Sequence, residues 1–166
     1  MSFPPRRLGA DDWRTWRDMR LAALADTPDA FASTLAKEAG YTEADWRAWL
    51  AAPLGLKLLA GDDAGMIGAW APDGTVELYS MWVRPQWRGR GVGDLLIGEV
   101  LRWAGTRPVE LWVAEGNVVA ERLYLRHGFR LTDRRQPHPG RSGVRERLMV
   151  RECGGNPGLP TRPDND

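Results

Sequence analysis

Residues 84–101 read RPQWRGRGVGDLLIGEVL. Three glycines and two arginines fall within the six residues Arg88–Gly93. The extended apolar run Val76–Val83 leads in, and Leu95, Leu96, Val100 and Trp103 lead out at helical spacing from about Gly93 to Gly105. Glycines this dense either punctuate a turn or hold bare amides around an anion. A helix N-terminus carries unpaired N–H groups and a partial positive charge, and glycine lets a ligand approach the backbone. Arg88 and Arg90 add donors suited to phosphate. A P-loop is excluded because Asp94, not Lys-Ser or Lys-Thr, follows Gly93. A dinucleotide fingerprint is excluded because Gly89, Gly91 and Gly93 are followed by Asp94 where the last glycine of G-x-G-x-x-G belongs.

Upstream, residues 56–85 contain three extended runs divided by turn-forming clusters at Asp62–Gly65 and Pro72–Gly74, an antiparallel meander. Further back, a short strand near Arg6–Leu8 precedes a helix capped by Asp11 or Asp12, with Trp13, Trp16, Leu21 and Leu24 on one side. Asp26–Gly40 reads as a loop with a turn of helix, and Thr42 opens a second helix that Pro53 closes. Downstream, Val109–Ala114 lacks alternation, which predicts a strand buried on both faces. Gly116–Asn117 leads into a helix through His127, stopped by Gly128. Phe129–Arg135 and Val144–Arg151 form the arms of a terminal hairpin around Gln136–Gly143. The expectation is a single α+β domain over residues 1–152 and a disordered tail at 153–166. The strand–loop–helix–strand unit from Val76 to Ala114 is a βαβ crossover, where a phosphate site would sit.

The glycine stretch resembles the pyrophosphate loop of the GNAT superfamily of acetyl-CoA-dependent N-acetyltransferases, through Val83, Pro85, Arg88, Gly91 and Gly93. A second block, NVVAERLYLRHGF at 117–129, is similar to another block of that family at Asn117, Ala120, Leu123, Tyr124, Gly128 and Phe129. Two blocks in the right order are more specific than either alone. The resemblance covers about Gly65 to Val150. It implies the GNAT fold: a mixed, mostly antiparallel sheet of six or seven strands flanked by about four helices.

The resemblance also implies a site. The diphosphate of acetyl-CoA would rest on Arg88, Gly89, Arg90, Gly91, Val92, Gly93 and Asp94. The pantetheine arm would run along the Leu78–Val83 strand against the backbone of Met81, Trp82 and Val83, where that strand splays from its parallel neighbour. An amide near Met81–Trp82 would face the thioester oxygen. An alkylamine acceptor arrives protonated, with a pKa of about 10, so a base is needed. Glu77 stands at the matching strand position, either as that base or as an exposed strand glutamate. Tyr124 would protonate the leaving sulfur or simply pack on Phe129. Asn117 would bond the pantetheine amides, cap its helix, or both.

Composition narrows the remaining classes. A hydrophobic fraction of 43% and nine tryptophans exclude a disordered chain. Net charge of +1 argues against nucleic acid as partner, although Arg134, Arg135, Arg141, Arg145 and Arg147 cluster near the hairpin connection. No apolar run approaches the ~20 residues that span a bilayer, and no signal peptide is evident, so a cytoplasmic protein is expected. Cys153 stands alone, which excludes an internal disulfide. It has no evident activating partner, so direct transfer is favoured over a covalent acetyl-enzyme. With two histidines and one cysteine, no metal site is expected. Acceptor choice is expected from Asp26–Gly40, where Asp26, Asp29 and Glu38 could attract a cation, and from Gln136–Gly143. The sequence leaves the acceptor open, and also homodimerisation, which many relatives show. The rival to an enzyme is a catalytically silent acyl-CoA-binding module.

Overall fold

A computed structural model describes residues 2–152; Cys153 and the expected tail at 153–166 lie outside the described residues. Among the described residues, seven strands form one sheet in the order β1-β2-β3-β4-β5-β7-β6. They are β1 (Pro5–Arg7), β2 (Gly55–Ala60), β3 (Gly65–Trp70), β4 (Val76–Val83), β5 (Val109–Ala114), β6 (Arg130–Pro137) and β7 (Arg145–Arg151). Every neighbouring pair is antiparallel except β4 and β5. The helices are α1 (Trp13–Asp26), α2 (Leu35–Ala39), α3 (Glu43–Ala51), α4 (Val92–Ala104) and α5 (Val118–Arg126). A seven-stranded mixed sheet with helices on both faces is the α+β sandwich expected from the sequence.

Two apolar clusters occupy the two faces. Leu96, Ile97 and Val100 of α4, with Tyr124 of α5, pack onto Leu58, Ile67, Leu78 and Leu111. On the opposite face Trp16, Met19 and Leu24 of α1 and Trp46 and Leu50 of α3 pack onto Leu59, Met66 and Trp82. The aromatic residues at helical spacing are therefore core. Thr42 caps α3 as expected: its Oγ1 accepts from Asp45 N–H at 3.2 Å while Asp45 accepts from Thr42 N–H at 2.8 Å. Asp12 does not cap α1 with its side chain; it turns back to Gly9 N–H (2.9 Å) and Arg6 (2.9 Å), beside a 3-10 turn at Ala10–Asp12. The loop after α1 carries the expected turn of helix as α2, which Thr34 caps by accepting from Lys37 N–H at 3.2 Å, and adds a 3-10 turn at Pro28–Ala30.

The expectation that Val109–Ala114 is buried on both faces is corrected. Val109, Leu111 and Val113 are buried, whereas Glu110, Trp112 and Ala114 are only half-buried. The strand lacked clear alternation because Trp112 and Ala114, which line a cleft, share the apolar character of its buried residues.

One irregularity decides what β4 presents. Opposite β3, the register slips between Met66 and Gly68, so β4 carries an extra residue there. Ser80, with φ of 55°, sits in that bulge. Val76 and Leu78 face α4, as do Met81 and Val83, whereas Tyr79 and Trp82 face the α1–α3 side. Strict alternation would have put Met81 with Tyr79; the bulge inverts the phase of the strand's last three residues.

Candidate active site

The parallel β4–β5 ladder lasts for two rungs, Val76↔Val109 and Glu77↔Glu110. Beyond Glu77 the strands diverge, and a cleft of about 680 Å³ opens between their C-terminal halves. Ligands of open α/β sheets bind outside the carboxyl ends of parallel strands. Here β4 contributes Met81, Trp82 and Val83, β5 contributes Trp112, Val113 and Ala114, and α5 contributes Ala120, Leu123 and Tyr124.

The glycine stretch forms the end wall. Pro85–Trp87 makes a 3-10 turn, and Gly91, with φ of 80°, is the N-cap of α4. The first intrahelical bond runs from Leu95 N–H to the Gly91 carbonyl at 3.0 Å. The amides of Val92, Gly93 and Asp94 therefore have no acceptor in the helix. Gly89 (φ 73°) and Gly91 are glycines for their backbone angles, since a Cβ at either would meet nothing within 4 Å. Gly93 is a glycine for space: its Cβ would lie 2.8 Å from Met81 Cε. That close approach brings the helix N-terminus onto β4.

All of the expected cofactor residues except Arg90 line this cleft. Arg90 instead lies over Trp87, its guanidinium 5.5 Å from the ring centroid. Arg88 donates to the Val83 carbonyl at 3.0 Å and to Asp26 Oδ2 at 2.6 Å. Trp82 Nε1 donates to the same Asp26 oxygen at 3.0 Å. Asp94 offers its amide rather than its side chain: the carboxylate binds His127 Nε2 (2.7 Å), just after α5, and Arg126 (3.1 Å) in its last turn. Burial opposes its ionisation, but the bonds to His127 and Arg126 outweigh that and hold it below the usual carboxylate range. Asn117 caps α5, its Oδ1 accepting from Ala120 N–H at 3.2 Å. Asn117 also lines the cleft.

The two catalytic candidates are placed differently. Tyr124 is buried in the cleft wall, edge-on to Phe129 with ring centroids 5.6 Å apart. Burial raises its phenol well above the ordinary value, so it stays protonated. Glu77 does not line the cleft. It lies where β4 and β5 are still paired, four residues before Met81 and so roughly 13 Å along the strand.

The loops expected to choose the acceptor meet. A Cβ on Gly140 would lie 3.0 Å from the Ala32 carbonyl, and Arg141 pairs with Asp29 at 2.9 Å. The acidic residues of the first loop are already matched: Asp26 by Arg88, Asp29 by Arg141 and Glu38 by Arg20. The hairpin arginines are dispersed likewise. Arg135 pairs with Glu115 (2.6 Å), Arg147 donates to the Thr132 carbonyl (2.9 Å), and Arg134 lies 6.0 Å from the Trp112 ring. Trp112, Leu123 and Arg126 are cleft residues that the sequence reading did not assign a role, because their place depends on where β5 and α5 diverge from β4.

Residues 16–129 match the model of the acetyltransferase (GNAT) family. The chain belongs to that family. A GNAT acetyltransferase from Streptococcus pneumoniae superposes with a TM-score of 0.75 at 20% identity, over 90% of this chain and 98% of that one. A Salmonella typhimurium putative acetyltransferase, solved with its cofactor acetyl-CoA, superposes with a TM-score of 0.74 at 17% identity, over 98% and 100%. At such identities the likeness shows the fold. An uncharacterized N-acetyltransferase of Methanocaldococcus jannaschii is 43% identical over 56 residues, 32% of this chain and 25% of that protein. The aligned segments span 21% to 44% of the curated relatives' own lengths. Among the described residues of this GNAT chain no helix is long and apolar enough to cross a membrane.

Proposed function

We propose that this GNAT protein is an N-acetyltransferase that moves the acetyl group of acetyl-CoA directly to a primary amine. The observation that carries the reading is the two-rung β4–β5 ladder: beyond it an unpaired strand edge lies beside the free amides of Val92, Gly93 and Asp94. Pantetheine is an amide chain and would pair with that edge as an added strand, while the diphosphate takes the helix amides.

In this reading the backbone at Met81–Trp82 donates to the thioester oxygen, where charge develops as the amine attacks. The N–C bond forms and the C–S bond breaks. The amine's proton passes to Glu77 through water, because Glu77 lies too far along the strand for direct contact. Glu77 suits the role electrostatically, since burial, Glu110 and Asp73 all raise its carboxyl above the ordinary range. Tyr124 delivers a proton to the departing sulfur. Asn117 holds the arm through its side-chain amide.

A second reading, a silent acyl-CoA-binding module, draws on the position of Glu77 outside the cleft. One experiment separates the two. Purified protein is mixed with acetyl-CoA and a panel of primary amines, and free thiol is measured. Turnover with at least one amine, diminished in Tyr124→Phe, supports the transferase. Calorimetric binding of acetyl-CoA without turnover on any amine supports the module.

A further inference from the structure

Arg20 is buried, charged and unused by the reaction as described. Its Nε donates to Glu38 Oε1 at 2.7 Å and Nη2 donates to Oε2 at 3.0 Å. Its remaining nitrogen, Nη1, donates to Ser80 Oγ at 2.8 Å. Phe31 and Trp49 cover the guanidinium, with ring centroids 4.6 and 5.3 Å away. Arg20 and Glu38 are 6% and 1% exposed, so both charges are withdrawn from water and satisfied by each other. The triad joins α1, α2 and β4.

Its third member sits where β4 changes phase. Leu54 and Ser80 are the non-glycine residues with positive φ among the described residues, and of these Ser80 alone lies in a strand. Serine has no intrinsic reason to adopt that conformation. A hydrogen bond from a fixed guanidinium supplies one. Because the bulge turns Met81 and Val83 toward α4, whatever holds Ser80 also decides which backbone groups face the cleft.

We propose that Arg20, anchored by Glu38, is a positioning residue that clamps Ser80 in its left-handed conformation and so sets the backbone groups β4 offers to a pantetheine arm. This rests on the reading that the arm lies along β4. Loss of the clamp then weakens recognition of the arm and spares recognition of the nucleotide.

The test compares two probes by calorimetry: coenzyme A, and ADP, which keeps a diphosphate and lacks the arm. The variants are Arg20→Met with Glu38→Met, which removes both charges at similar volume, and the same pair with Ser80→Gly, which adopts positive φ freely. The native protein is expected to bind coenzyme A at least about tenfold tighter than ADP. The double variant should lose most of that preference with its ADP affinity within about twofold of native, and Ser80→Gly should restore it. A preference unchanged in the double variant overturns the proposal, as does equal weakening of both probes, which marks a purely structural pair. A native protein that prefers neither probe overturns instead the placement of the arm on β4. Should the double variant not fold, Ser80→Ala removes the clamped oxygen alone. A reduced preference there supports the clamp, and an unchanged one sinks it.

Discussion

Glu77 stands opposite Glu110 in the last rung that joins β4 to β5, with like charges side by side on one face of the sheet. Partial burial, Glu110 and Asp73 together push the Glu77 carboxyl above its ordinary range. A carboxylate raised in the folded state contributes stability that is present below its unfolded pKa and lost as pH rises through the folded one. Glu77→Gln should therefore be at least as stable as the native protein at pH 7, the advantage closing toward about pH 4. Thermal melts across that interval check it; a native protein that melts higher at pH 7 refutes it.

The same pair bears on turnover. If Glu77 takes the amine's proton, the acid limb of the kcat/KM profile reports its ionisation. Glu110→Gln removes one of the causes raising it, so that limb should move to lower pH while the plateau is retained. An acid limb indifferent to Glu110→Gln, but lost in Glu77→Gln, would assign the shift to burial and Asp73.

Tyr124→Phe should leave the fold close to native, since the ring packs on Phe129 and burial is the sole cause of the raised phenol. Turnover should fall by about 10²-fold, the lower range for loss of a general acid, with little change in acetyl-CoA affinity. Thiol release and calorimetry on the same preparation separate the two quantities. Equal loss in both would make the hydroxyl a binding group.

Gly91 and Gly93 lie two residues apart and should fail for different reasons. At Gly91 there is room for a side chain but φ is 80°, so Gly91→Ala carries about 1 kcal/mol of backbone strain and shifts the helix amides. At Gly93 the backbone is ordinary and the obstacle is the end of Met81, a flexible side chain in the cleft wall. Gly93→Ala should keep near-native stability and still weaken coenzyme A binding, whereas Gly91→Ala lowers both. Melts and calorimetry on the pair give the contrast.

What the sequence disclosed follows from what single residues can announce. A glycine that must adopt positive φ, a threonine three residues before an aspartate, and apolar runs separated by Pro-Asp-Gly are local statements, so the crossover, the α3 cap and the meander were readable. The Ser80 bulge was not, because serine carries no preference for that backbone. Trp112 misled because a residue facing a cleft uses the same apolar alphabet as one in the core. The charged contacts were beyond reach for a simpler reason: Arg20 and Ser80 are 60 residues apart, and Asp26 and Arg88 are 62 apart. No local pattern joins them.

Asp26 gives the last of these contacts a measurable consequence. One oxygen accepts from both Trp82 Nε1 and Arg88 Nη2, and those two bonds, Trp82 first, hold the carboxyl below its ordinary range. In the proposed binding mode the carboxylate would thus occupy the cation that the glycine loop would otherwise direct at a phosphate, and would add a negative charge beside the diphosphate. Asp26→Asn retains an acceptor for Trp82 and removes the charge. Both ADP and coenzyme A should bind about threefold tighter in dilute buffer, with the gain shrinking as salt screens the site. Arg88→Gln should weaken both probes and leave Asp26→Asn, in the double variant, with only the smaller gain that comes from removing its own charge. Calorimetry at two ionic strengths decides the matter: weaker binding in Asp26→Asn would mean that the ion pair aims Arg88 at the ligand rather than restraining it.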